Sequence, residues 1–167
     1  MAITGTVPAP VRRHRESILL AVLSATVGML LLAHAAAQGI GAAVFWRPCW
    51  TEGYESAACS FLQYEAVSPL QLLPFWLWFA EVLLALAVIG ASVAAGRRLG
   101  TAGLALVAVL ASSALIDLVF TPAINGGHTS ADEPPGAGLI GAAFLVVAGA
   151  LMFRVATPYR RLPLLVE

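Results

Sequence analysis

Lysine is missing from this chain, and charge of either sign is scarce: nine basic residues, all arginine, face nine acidic ones, together 11% of 167 residues. A formal net charge of zero, with no basic face away from the ends of the apolar runs, leaves no footprint for nucleic acid, and no such partner is expected. Catalytic signatures are missing as well. There is no P-loop, no G-x-S-x-G, no H-E-x-x-H and no C-x-x-C-H. No cofactor is therefore expected, a bound lipid or quinone staying open, and a non-enzyme is favoured. The absence of lysine beside abundant alanine fits the codon usage of a GC-rich, bacterial genome. What the chain has instead is apolar bulk. Hydrophobic residues make up 60% and the mean hydropathy is +0.88, outside the range of soluble domains.

That bulk falls into four runs, at about 18–45, 70–95, 99–120 and 138–155. Each matches the roughly 20 residues that a helix needs to cross a hydrocarbon core. Arg12, Arg13 and Arg15 precede the first run, Arg97 and Arg98 separate the second from the third, and Arg154, Arg160 and Arg161 close the fourth. The positive-inside rule puts those three positions in the cytoplasm. The loops at 46–69 and 121–137 hold one arginine, Arg47, against five acidic side chains, and so face outward. The sequence thus predicts an all-α integral membrane four-helix bundle with cytoplasmic N- and C-termini: tails at 1–16 and 158–167 around a transmembrane domain at 17–157. Residues 1–11 are expected to be disordered. The first run also imitates a secretory signal, but apolar sequence continues past the small residues around His34 to Phe45, which favours an uncleaved helix.

Both cysteines, Cys49 and Cys59, fall in the first outward loop. In an oxidising compartment a pair closing so short a loop is expected to form a disulfide, and nine intervening residues do not suit a C-x-x-C thiol oxidoreductase. Aromatic residues crowd the same region: Trp46, Trp50, Tyr54, Phe61 and Tyr64, with Phe75, Trp76 and Trp78 at the start of the second run. They suit either an interfacial belt or a surface that docks another protein. In the second case Trp46, Arg47, Trp50, Tyr54 and Tyr64 form the outward contact surface.

Three ionisable residues interrupt the apolar runs: His34, Glu81 and Asp117. Each is displaced outward from its helix midpoint by roughly 5–10 Å at about 1.5 Å per residue, so the three are expected to share a layer. Charge at mid-membrane is costly, and such groups face the bundle interior, pair with each other or stay neutral. The layer reads as a proton or cation site with Glu81 as carboxylate, as a divalent-metal site, or as a hydrogen-bonded knot that includes Gln38 one turn from His34. Small residues at Ala33, Ala37 and Gly41, at Gly138 and Ala142, and at Gly100 and Gly103 are expected to bring the helices together. The loop 121–136 contains Pro122, Asn125, Gly126, Gly127, Pro134 and Pro135, and is expected to be irregular.

Trp46-x-x-Cys49 followed by Cys59 resembles the W-x-x-C and second cysteine of the claudin and peripheral-myelin-protein-like four-helix superfamily. Leu73-Pro74-x-x-Leu77-x-x-Ala80, Asp117-x-x-Phe120-x-Pro122 and Gly136-Ala137 are similar to later segments of those proteins, with Glu81 where they usually carry arginine. The resemblance implies an adhesive or barrier role and a β-sheet outside the membrane. Claudins place β-strand between the first helix and the tryptophan, whereas here Trp46 follows at once.

Small size without a catalytic motif points to a multi-pass cell-membrane protein. The expected role is that of an accessory, assembly or scaffold subunit, with an integral-membrane partner or a second copy of itself beside the lipid bilayer. The alternatives are a small proton- or cation-coupled transporter using Glu81, and the claudin-like role.

Overall fold

The computed structural model describes residues 9–66, 75–112, 136 and 138–157, and these are mostly helical with no strand among them. Helix α1 is Ala9–Phe45, α2 Arg47–Thr51, α3 Ala57–Tyr64, α4 Phe75–Ala94, α5 Gly100–Ala111 and α6 Leu139–Ala156. Three stretches are long and apolar enough to cross a membrane: Glu16–Phe45, Leu77–Ala94 and Leu139–Ala156. The fourth apolar helix, α5, covers 12 residues, about 18 Å. The rest of the run expected to reach residue 120 lies outside the described residues, as does the loop 121–135.

Local chemistry sets the helix ends. Helix α1 starts at Ala9, so part of the tail expected to be disordered is helical; Arg12, Arg13 and Arg15 are good helix formers and extend it. Pro48 lies in the first turn of α2, where a missing N–H costs nothing. The chain then turns through Gly53, at φ +102°. Ser56 caps α3: its Oγ accepts from the Cys59 N–H at 3.1 Å. At the end of α4 the Gly96 N–H donates to the Val93 carbonyl and the Arg97 N–H to the Ser92 carbonyl, both at 2.9 Å. That is the Schellman arrangement, and it requires the left-handed φ of +66° that Gly96 adopts.

Helix α1 packs along α6, α6 on α5, α5 on α4, and α4 back on α1. The contact stripe of α1 runs through Leu20, Ser24, Val27, Leu31, Ala35, Gln38 and Ala42, the spacing of one helix face. Ala33 and Ala37 are exposed, and Gly41 has open space around it. The small residues of α1 expected to make the contact therefore point away from it, whereas Ala142 on α6 is buried against α1, 3.4 Å from where a Cβ on Gly39 would lie. Close approach occurs instead between Gly28 and Gly149, where a Cβ on either would lie 3.1 Å from the other's carbonyl oxygen. Gly100 and Gly103 also meet open space. Helix α5 turns Ala102, Ala105 and Ala108 inward and exposes Leu104, Val107 and Leu110. Small side chains inside and large apolar ones outside suit a lipid solvent, in which close backbone packing rather than apolar burial holds helices together.

Serine hydroxyls within this core are met locally. Ser24 and Ser92 donate their hydroxyls to the carbonyls of Leu20 and Val88, four residues back, at 2.7 Å. Arg97 donates from a guanidinium nitrogen to the Val155 carbonyl at 3.0 Å, which meets an acceptor in the last turn of α6 and places positive charge at its C-terminus.

Candidate functional site

Two features stand out from this scaffold: a polar contact between α1 and α4, and the lobe formed by α2 and α3.

His34 and Glu81 are brought together. His34 Nδ1 shares a hydrogen bond with Glu81 Oε1 at 2.7 Å, and the two side chains are only 9% and 4% exposed. The contact holds the C-terminal half of α1 against the N-terminal half of α4. A lone carboxyl buried between apolar helices would be strongly unfavourable, and the imidazole supplies the compensating partner. The compensation is incomplete, because His34 Nε2 and Glu81 Oε2 are buried with no hydrogen-bond partner among the described residues. An unmet buried donor or acceptor costs about 1–3 kcal/mol.

Gln38 lies one turn along the same stripe and is buried. Its amide occupies the space left by a missing side chain on α6: a Cβ at Gly141 would lie 2.8 Å from Gln38 Nε2 and 3.0 Å from the Ser112 carbonyl oxygen. Gly141 and Ser112 thus belong to the polar layer, although nothing in the sequence marks them beyond small size on a buried face. Trp78, one turn before Glu81, donates its indole N–H to the Val109 carbonyl at 3.0 Å, so it bridges α4 and α5 besides contributing aromatic bulk. Asp117, the third ionisable residue of the expected layer, lies outside the described residues. Among the described residues no group of three or more His, Cys, Asp or Glu side chains is placed to share a metal ion.

The lobe begins where α1 ends. A Cys49–Cys59 disulfide joins α2 to α3 across a sequence separation of 10. Trp46, expected on the outward contact surface, is instead 0% exposed. Its ring meets Phe45 edge-on at 4.7 Å and packs in a cluster with Ala42, Cys49, Cys59, Leu62 and Leu139. The reason is volume: the indole is the large side chain available to fill the junction of the α1 end, the α6 start and the disulfide. The other expected contact residues do lie on the surface. Arg47 is exposed, as are Trp50 at 52%, Tyr54 at 61% and Tyr64 at 63%, and Phe61 adds a further exposed ring. Glu52, Glu55 and Glu65 are exposed among them.

No protein-family model, no curated protein and no solved structure matches the chain.

Proposed function

We propose that this chain is a four-span membrane protein with both termini in the cytoplasm, serving as a non-enzymatic accessory or assembly subunit of a larger complex in the cell membrane. The four apolar helices and the arginines at alternate gaps support the topology. The two remaining gaps then lie outside, where an oxidising compartment suits the Cys49–Cys59 disulfide.

The observation that carries the role is the construction of the lobe. A disulfide and the buried Trp46 hold α2 and α3 at the end of α1, while Trp50, Tyr54, Phe61 and Tyr64 stay uncovered. Aromatic side chains are the commonest anchors of protein interfaces, and fixing them beforehand lowers the entropy lost on binding. The acidic side chains between them suit a partner surface with basic or hydrogen-bond-donating groups.

The adhesive alternative asks for a β-sheet outside the membrane. Residues 47–51 and 57–64 are helical, and no strand occurs among the described residues.

Co-purification from native membranes in mild detergent tests the proposal. The chain is expected to migrate with a second integral-membrane protein, and Trp50→Ala combined with Tyr64→Ala to release it without loss of helical content. Wild-type chain that runs alone and is stable alone would reject the role.

A further inference from the structure

We propose that His34 and Glu81 form a proton-exchange site within the membrane, with Glu81 taking up and releasing the proton and His34 Nε2 passing it to water. The argument starts from the ends of the pair that are not in contact. A clamp whose only task is to join α1 to α4 is complete with Nδ1 and Oε1 at 2.7 Å, and it gains nothing by burying a second nitrogen and a second oxygen unmet. Two open ends on a hydrogen-bonded acid–base pair are what exchange requires.

The chemistry balances with one proton and water. The pair is neutral overall either as carboxylic acid beside imidazole or as carboxylate beside imidazolium, and the proton crosses the short contact between Oε1 and Nδ1. In the second form both open ends, the Nε2–H and Oε2, carry charge and call for a polar partner. Water reaching these ends stabilises the second form. The Nε2–H bond then breaks toward the water oxygen, giving hydronium and leaving the electron pair on Nε2. Neutral His34 goes on donating Nδ1–H to the Glu81 carboxylate. Hydronium protonating Oε2 or Nε2 reverses the step.

Little else in the described structure can titrate against the pair. Helix α5 contains no ionisable residue, and the single one of α6 is Arg154 in its last turn. Along α4 Glu81 is alone, and His34 shares the apolar window of α1 with Glu16 at its far end. On the side toward the lobe α1 carries the buried Gln38 one turn from His34, and its amide can accept and donate hydrogen bonds without changing charge. The charged residues of the lobe and its edge, Arg47, Glu52, Glu55 and Glu65, are exposed.

The test is infrared difference spectroscopy on the full chain in liposomes, stepped from acid to alkaline pH. The wild type is expected to lose a protonated-carboxyl C=O band of a buried acid on the alkaline step, and that band to shift on transfer to D2O. Glu81→Gln should lack it, and His34→Gln should move its frequency and its titration midpoint. Should Glu81→Gln fail to fold, ¹³C-labelling of the glutamate carboxyls separates the band from those of aspartate, and a shift of that labelled band in His34→Gln ties it to the residue in contact with His34. A buried-carboxyl signal that stays constant across the whole pH range, or one that titrates identically in His34→Gln, would overturn the proposal.

Discussion

Trp46 and Trp50 stand four residues apart and have opposite fates, the first fully buried and the second half exposed. Replacing Trp46 with alanine removes the filler between α1, α6 and the disulfide, so thermal unfolding in detergent should show a loss of about 3–5 kcal/mol. Trp50→Ala should change stability by no more than about 0.5 kcal/mol, its effect falling on partner binding. Sequence alone could not separate the two, because an aromatic residue next to an apolar run suits an interfacial belt, a docking surface and a core equally well. His34, Glu81 and Gln38 were legible for the opposite reason: a polar side chain in an apolar helix has few places to go, and the interior is the best of them. Which of their atoms would meet could not be read, since that depends on the rotation of α1 against α4.

At the scale of the helices, the junction of α1 and α6 decides how the elements fit. Gly149→Ala places a methyl 3.1 Å from the Gly28 carbonyl, a backbone atom that cannot swing aside, and 2.8 Å from Leu32. The expected cost is about 1–3 kcal/mol, read from the midpoint of thermal unfolding. Gly41→Ala and Gly103→Ala meet nothing within 4 Å and should be neutral or stabilise by up to about 1 kcal/mol, since alanine is the better helix former. This contrast also marks how far the hydropathy pattern reaches. The apolar runs gave α1, α4 and α6 to within a few residues at most ends, because length and composition determine membrane-capable helices. In a chain this rich in alanine, though, several small-residue stripes compete, and the larger side chains packed beside Ser24 and Gly28 choose the face. Helices α2 and α3 escaped notice because five and eight residues are too short for an apolar period; the Ser56 cap and the disulfide stabilise them. Replacing both cysteines with serine should destabilise the lobe by about 3 kcal/mol, seen as faster proteolysis between residues 49 and 59, with α1, α4 and α6 retained.

For the whole molecule, the arginines and the lobe make one statement about orientation. Alkaline phosphatase inserted at Gly53 should be active, and the same reporter fused after Glu167 inactive, if the lobe faces outward and the C-terminus stays in the cytoplasm. The proposed role rests on that placement: with the lobe outward, a small apolar body presents exposed aromatic and acidic side chains to a partner. The claim at the centre of this account is that the lobe exists to be covered by another membrane protein. Sizing of the complex extracted from native membranes in mild detergent tests it most directly. The account predicts a protein mass well above that of the 17.3 kDa chain, falling to that of the chain alone in the Trp50→Ala, Tyr64→Ala variant. A wild-type chain that elutes by itself, stable and unchanged by those substitutions, would contradict it.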